Sequence, residues 1–256
     1  MIFHPSISVI IKTYDDSATS DRRKPSTRLK TFLEMTLQAL EEQTLRPHEI
    51  LIIDSSVGNG IARVIRNHSL VNEIPTRHIP LAHEMFSHPG ALNLGIQNAR
   101  GDIIVSLSGD ATPANVSCLE NLVAPLANPE VAGAFSRQIA RPGMSLSLVE
   151  RVRLWWRYRS RSTTLRRTDH LFSNACSAFR RDLALEIPFD ETLVELEDYK
   201  WAGEVQRRGY AIVYVGDAEV FHSHGSSSLR TLWRMFYYVY LRMRIDASIH
   251  LPPTAA

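Results

Sequence analysis

Lysine is scarce in this chain. Of its 29 lysines and arginines only Lys12, Lys24, Lys30 and Lys200 are lysine, which leaves 25 arginines. Against 27 acids the net charge is only +2, so the arginines make no overall polycation and nucleic acid is not an expected partner. Cysteine is scarce too. Cys118 and Cys176 stand far apart and fit no metal-ligand spacing, so a reduced, cytoplasmic setting is expected. No apolar run approaches the roughly 18 residues a spanning helix needs. The opening MIFHPSISVIIKTY lacks the basic start and long apolar core of a secretion signal. No glycine-rich loop with a lysine follows a strand, so Gly90 and Gly95 read as packing positions rather than a phosphate cradle. What remains is 256 residues with 44% hydrophobic and 22% charged content, ample for one large globular domain or two small ones.

Strand and helix signals alternate through the first half. ISVIIK (7–12) is a β-branched run of the kind buried in a parallel sheet. A long polar connection (15–28) leads to a helix over 27–43, where Leu29, Leu33, Leu37 and Leu40 recur at helical spacing. HEILIIDSS (48–56) is a second strand and IPTRHIPL (74–81) a weaker third. HPGALNLGIQNARGD reads as a proline-started helix stopped by Gly101. It delivers the chain into a fourth strand, DIIVSLSGDATP (102–113). This is the order of a doubly wound sheet. Beyond it the spacing predicts a strand over 131–138, a helix over 145–160, a short strand over 174–182 and a helix over 196–210. A strand pair in AIVYVGDAEVFHSHG and a final helix over 228–245 complete the chain. The helix over 196–210 has acids in its first turn, bases in its last and a glycine stop, as the macrodipole favours.

Two of the strands close on single acids, Asp54 and Asp110, the latter after the small residues Ser108 and Gly109. Each alone is an ordinary turn acid. Their recurrence at the carboxyl ends of neighbouring strands, where open α/β sheets bind ligands, points to a nucleotide or cation site. The segment RVRLWWRYRSRSTTLRR (151–167) holds seven arginines and no acid. It suits a solvated helix face, contact with a lipid-diphosphate acceptor, or nucleic acid, the last disfavoured by the net charge. The final helix, with Trp233, Phe236, Tyr237, Tyr240, Arg234, Arg242 and Arg244, suits either an interfacial helix beside anionic lipids or packing on the core or on a second subunit.

The ordered set SVIIKTY, EILIIDSS, HPGALNLGIQNARGDIIVSLSGD, FSNACSAFRRD, PFDETLVELEDYKWAGEVQRRGY and VFHSH resembles family 2 glycosyltransferases of the GT-A fold. Within them it is most similar to the bacterial rhamnosyltransferase-like branch. The resemblance implies an α/β, Rossmann-like single domain with a mostly parallel central sheet and a C-terminal helix. Residues 1–226 would be catalytic, about 1–110 holding the nucleotide sugar and 111–226 the acceptor, with 227–256 an amphipathic helix and tail. It implies that Thr13, Tyr14, Asp54 and Ser55 meet the nucleoside. Asn93 would lie near the donor phosphates, with Gly109 and Asp110 at the diphosphate. Asp110, with His222 or His224, would hold Mg²⁺ or Mn²⁺. One of the two is expected to reach the site and the other to be a surface or buttressing histidine. Asp198, paired with Glu197, would be the base on the acceptor hydroxyl.

The implied activity is inverting transfer of a sugar, L-rhamnose from a dTDP-linked donor or a hexose from a UDP-linked one. The implied acceptor is a surface glycan or lipid-linked glycan. A cytoplasmic enzyme, peripheral at the inner face of the membrane, alone or as a homodimer, would suit this role. The chain departs from the family pattern at Ser108, where a fuller motif has its first Asp, at Leu92, where Arg is usual, and at Lys12, where Pro is common. These departures leave open a non-catalytic nucleotide- or glycan-binding module.

Overall fold

The computed structural model describes residues 5–13, 25–56, 58–143, 146–159, 161–165, 170–222 and 228–249, with the backbone alone at 25–30, 228–232, 234 and 248. Tyr14, His224 and most of the 15–28 connection therefore lie outside the described residues. In chain order the elements are β1 (Ile7–Thr13), α1 (Pro25–Glu41), β2 (Glu49–Asp54), α2 (Gly60–Asn67), α3 (Leu70–Glu73), β3 (Thr76–Pro80), α4 (His88–Asn98), β4 (Ile103–Ser108) and β5 (Thr112–Pro113). They continue with α5 (Cys118–Val123), β6 (Val131–Ile139), α6 (Leu148–Arg157), β7 (Thr163–Leu165), β8 (Cys176–Arg180), α7 (Arg181–Glu186), α8 (Glu197–Arg207), β9 (Ala211–Phe221) and α9 (Ser228–Ile249).

The strands form one sheet in the order β3-β2-β1-β4-β8-β6-β9-β5, with β7 beside β9. β1 to β4 are mutually parallel, and the register sets Thr13 beside Asp54 and Lys12 beside Ser108. Their carboxyl ends therefore meet along one edge. β8 then runs antiparallel to β4, so its first residue, Cys176, lies beside Leu107 at the same edge. That reversal brings the second half of the chain to the mouth of the first.

Side-chain alternation divides the apolar runs between two cores. Ile7, Val9 and Ile11 pack with Leu33, Leu37 and Leu40 of α1, while Ile10 packs on the other face with Ala91, Leu92 and Ile96 of α4. Beneath α8 lies an aromatic nest. Trp201, almost fully buried, stacks on Phe189 with centroids 5.3 Å apart and donates its indole N–H to the Ile187 carbonyl at 2.9 Å. A third, small cluster of Tyr199, Ile245 and Ile249 fastens the end of α9 to α8.

Three sequence expectations are corrected. The pair expected in AIVYVGDAEVFHSHG is one bent strand, β9, whose pairing with β6 shifts register between Val215 and Glu219. Gly216 and Asp217 look like a turn but form a bulge. Gly101 does not stop α4, which ends at Asn98; a Cβ there would stand 2.6 Å from the Ser8 nitrogen, so glycine serves close backbone approach to β1. Residues 181 and 182, expected in a strand, begin α7 instead.

Candidate active site

At the β2 end, Asp54 is buried and fully engaged. Its Oδ1 accepts from the Thr13 hydroxyl and the Ser56 amide, both at 2.9 Å, and its Oδ2 faces His78 Nε2 at 2.9 Å. The Ser55 amide donates to the Thr13 carbonyl at 3.0 Å, tying the β1 and β2 ends together. The Ser55 carbonyl lies 3.0 Å from His83 Nδ1. The Ser56 hydroxyl is buried without a hydrogen-bond partner. A buried, unpaired hydroxyl beside a buried carboxylate is costly unless a ligand completes it. Sequence reasoning missed His78 and Ser56; His78 lies in the weak third strand, where nothing local marks it.

At the β4 end, Asp110 Oδ1 accepts from the Ser108 hydroxyl at 2.7 Å and lies 3.5 Å from His222 Nε2. His222 is held in turn through Nδ1 by Gln138 Oε1 at 3.0 Å. Of the two histidines considered, His222 turns toward Asp110. Arg141 donates to the Asp110 carbonyl and the Thr112 hydroxyl at 3.2 and 3.0 Å, fixing the turn after β4. Gly109 is buried, and a Cβ on it would stand 2.7 Å from the Lys12 carbonyl. Only glycine lets the β4 end close onto β1.

The acid pair comes from the start of α8. Asp198 Oδ2 accepts from the Asn174 amide at 3.2 Å and its Oδ1 from the Tyr199 amide at 2.7 Å, while the Asn174 side chain donates to Glu197 at 3.4 Å. Asn174 also accepts from Ser177 at 3.0 Å, and its carbonyl accepts from Ser106 at 3.3 Å. One asparagine thus couples the pair to β4 and β8. The residue before the pair, Leu196, has φ 66°, the one non-glycine in the left-handed region among the described residues. Such strain is held only where the surroundings over-determine it, and it clusters at functional sites.

The electrostatics tie these groups together. Burial, then the neighbouring Glu197 charge, raise the Asp198 carboxyl to about 7, against its two amide donors and the Arg157 charge. Lys12, at the end of β1, is buried, and desolvation lowers its ammonium pKa although Glu197, Asp198 and Asp110 all favour its charge. His88, at the start of α4, is lowered to about 4 by burial and then by Lys12, with Asp110 opposing. It is a neutral imidazole near pH 7. Arg242 of α9 has its ring-facing guanidinium 5.1 Å from Tyr199, within the field of Asp198 and Arg157. Lys12, His88, Asn174 and Arg157 thus join the acids here, and sequence reasoning gave none of these four a role at the site. Lys12 had a signal, a lone lysine closing an apolar strand; Arg157 had none that set it apart from its six neighbouring arginines.

Asn93 is held within the fold. Its Nδ2 donates to the Phe189 carbonyl and to Glu191, both at 2.8 Å, and its Oδ1 accepts from the Phe189 amide at 3.1 Å. Its carboxamide braces the 189–191 turn from inside the fold. Among the described residues no three His, Cys, Asp or Glu side chains group as a metal nest. Asp110 and His222 offer two ligands, which suits a cation held largely by substrate phosphates.

Comparison with known proteins gives the same direction. The family described as "Glycosyl transferase family 2" matches residues 8–187. The O-antigen chain rhamnosyltransferase RfbN of Salmonella typhimurium is 26% identical over 213 residues, covering 78% of this chain and 65% of that protein. The chain thus spans just under two thirds of this relative's length. Among solved structures, the mannosyltransferase PcManGT from Pyrobaculum calidifontis, in complex with GDP-Man and Mn²⁺, superposes with a TM-score of 0.69 at 19% identity, over 99% of this chain and 66% of that one. S. aureus TarS in complex with UDP-GlcNAc superposes at 0.62 with 15% identity, over 87% of this chain and 60% of that one. Both share the α/β architecture of the GT-A glycosyltransferases.

Proposed function

Because the chain belongs to glycosyl transferase family 2, we propose that it transfers a sugar from a nucleoside-diphosphate donor to a glycan hydroxyl in one inverting displacement, with Asp198 as base. The observation that carries this reading is the Asp198 carboxyl itself. It is oriented by two backbone amides, raised to about 7 by burial and Glu197, and gathered with Lys12 and Asp110 at one sheet edge. A base near the working pH combines a usable ionised fraction with adequate proton affinity. Direct attack assisted by a single base inverts the anomeric carbon.

The donor's nucleoside would lie against Thr13, Asp54, Ser55 and Ser56, and its diphosphate against the β4 end near Gly109. Asp110 and His222 would hold Mg²⁺ or Mn²⁺. When bound, the cation would neutralise charge on the departing nucleoside diphosphate. Lys12, beside the same acids, would face the donor's diphosphate, its ammonium favoured by Glu197, Asp198 and Asp110 and disfavoured by burial. His88 would offer a neutral donor to phosphate oxygens, since it stays uncharged above about pH 4. Arg157 and Arg242 steady the charge that Asp198 carries before it takes the acceptor proton. Similarity to a rhamnosyltransferase supports a deoxyhexose donor, dTDP-linked L-rhamnose, over a UDP-hexose, and an O-antigen-like surface glycan as acceptor. The region 1–226 carries the base and the donor site in this reading, with Arg242 of α9 beside them, at work in the cytoplasm.

Melting curves with dTDP, UDP, GDP and CMP, each with and without Mn²⁺, test the donor site. A ligand at about a hundred times its Kd stabilises by roughly 2.7 kcal/mol, several degrees for a chain of this size. A metal-dependent shift with one pyrimidine diphosphate supports the reading; no shift with any nucleotide returns the chain to a non-catalytic module.

A further inference from the structure

We propose that the joined outer faces of α6 and α9 form a docking surface for an anionic lipid bilayer. On α6, Leu148, Val152, Trp155 and Trp156 are exposed at spacings of four, seven and eight residues, which makes one helical stripe. Trp155 and Trp156 are 75% and 68% exposed, while Glu150 and Leu154 on the other side of the helix are buried. On α9, which packs along α6, Trp233 and Phe236 are 70% and 72% exposed, with Tyr237, Tyr240 and Met243 beyond them. The C-terminal end of α9 is anchored by Ile245 and Ile249 against α8, so this aromatic surface is held out from a fixed base. Large aromatics gathered on one surface mark an interaction site rather than ordinary exposure.

Charge selects the occupant. Arg151, Arg159, Arg161 and Arg244 are exposed. The one acid on α6, Glu150, is fully buried and gripped by Arg153 through two hydrogen bonds of 2.7 and 2.6 Å. The one acid on α9, Asp246, accepts from the Tyr199 hydroxyl at 2.9 Å. The exposed charge is therefore of one sign. A second copy seated on this face would set arginine against arginine, whereas anionic headgroups complement the arginines and acyl chains receive the tryptophans. No helix among the described residues is long and apolar enough to cross a membrane, so the surface lies on the bilayer.

A cavity of about 580 Å³ borders the stripe, lined by Arg137, Gln138, Arg151, Trp155, Tyr158 and Arg159 among others. Arg137 bonds Glu219 at 2.7 Å, but its Nε is buried with no hydrogen-bond partner. An unpaired buried donor among arginines suits a headgroup phosphate oxygen. Gln138 also holds His222, so a lipid seated there lies one side chain from the Asp110 region. The docked face and the candidate active site are thereby contiguous.

The test uses vesicles and the full chain, and reads binding rather than sugar transfer, so its outcome does not depend on the proposed activity. Phosphatidylcholine vesicles with and without one-quarter phosphatidylglycerol are sedimented with the protein. Tryptophan emission is followed in parallel, because Trp155, Trp156 and Trp233 are exposed while Trp201 is buried. The expected result is binding to the anionic vesicles alone, with a blue-shifted emission quenched by brominated acyl chains and weakened by salt. Trp155→Ser with Trp156→Ser should lower partitioning roughly tenfold or more. Arg151→Glu and Arg159→Glu should each lower it at least about fivefold. All should leave the melting temperature unchanged; if the α6 variants melt early, Trp233→Ser with Phe236→Ser on α9 takes their place. Absence of binding, equal binding to neutral vesicles, variants that bind as the parent does, or a dimer dissolved by the tryptophan variants without vesicle binding would each overturn the proposal.

Discussion

Replacing Asp198 by Asn should abolish turnover and, at the same time, make the protein relatively more stable as pH rises. The native carboxyl holds its proton up to about pH 7 instead of the ordinary 3.8, first through burial and then through Glu197. The native state therefore binds the proton more firmly than the unfolded chain. The stability this contributes is complete below about pH 4 and is lost as pH climbs through 7. Each pH unit in that window is worth at most about 1.4 kcal/mol, so the interval from pH 5 to 7 holds at most ~2.7 kcal/mol. Partial solvent access and sharing with Glu197 bring this to about 1–2 kcal/mol, or roughly 3–6 °C for a chain of this length. Asn keeps the shape but loses one acceptor for the Asn174 and Tyr199 amides, a penalty that is the same at every pH. The quantity to measure is the melting-temperature difference between variant and parent at pH 5 and at pH 8, in buffer without divalent cations. It should move in the variant's favour by that amount. In the parent, kcat/KM should fall about tenfold per pH unit below 7. A difference that is flat across pH, or that moves against the variant, would refute the claim that Asp198 is a strained, destabilising base.

Other residues carry their own consequences. Asp110→Ala should abolish the Mn²⁺ dependence of nucleotide-induced stabilisation while leaving the unliganded melting temperature within about 1 °C; metal dependence that survives would exclude Asp110 as a ligand. His78→Ala frees Asp54 Oδ2 from its 2.9 Å partner and should weaken nucleotide binding by about 1–2 kcal/mol in calorimetry; tighter binding would contradict a positioning role. Trp201→Ala empties the stacked nest under α8 and should cost about 3–5 kcal/mol in denaturant unfolding, a loss under 1 kcal/mol counting against it. Gly109→Ala drives a methyl against the Lys12 carbonyl, and donor affinity should drop more than stability does.

The sheet edge was legible because its signals are local. Continuous β-branched runs mark β1, β2 and β4 as buried parallel strands, and an acid closing two of them marks the edge. The α8 acids were legible for the same reason, lying in one short window with a basic far end. What escaped were contacts between windows. Asn174 reaches Glu197 from 23 residues away and Asp54 reaches His78 from 24, and no periodicity encodes such pairings. Lys12 drew notice as a departure from a family pattern, yet its place among three acids follows only once β4 folds beside β1. The contacts of Asn93 escaped for a related reason, since a polar residue on the buried face of a helix can serve a distant turn as well as a ligand. The bend of β9 was misread because a Gly-Asp pair inside a strand looks the same in sequence whether it turns or bulges.

The central claim is that Asp198 takes the acceptor proton during sugar transfer. It is met most directly by measuring donor affinity and glycan product together in the parent and in Asp198→Asn, with Mn²⁺ and a dTDP- or UDP-linked sugar. Donor affinity within about threefold of the parent and product formation lowered by roughly 10³-fold or more is the predicted result. Product formed at the parent's rate by the variant, with donor bound equally well, would contradict it.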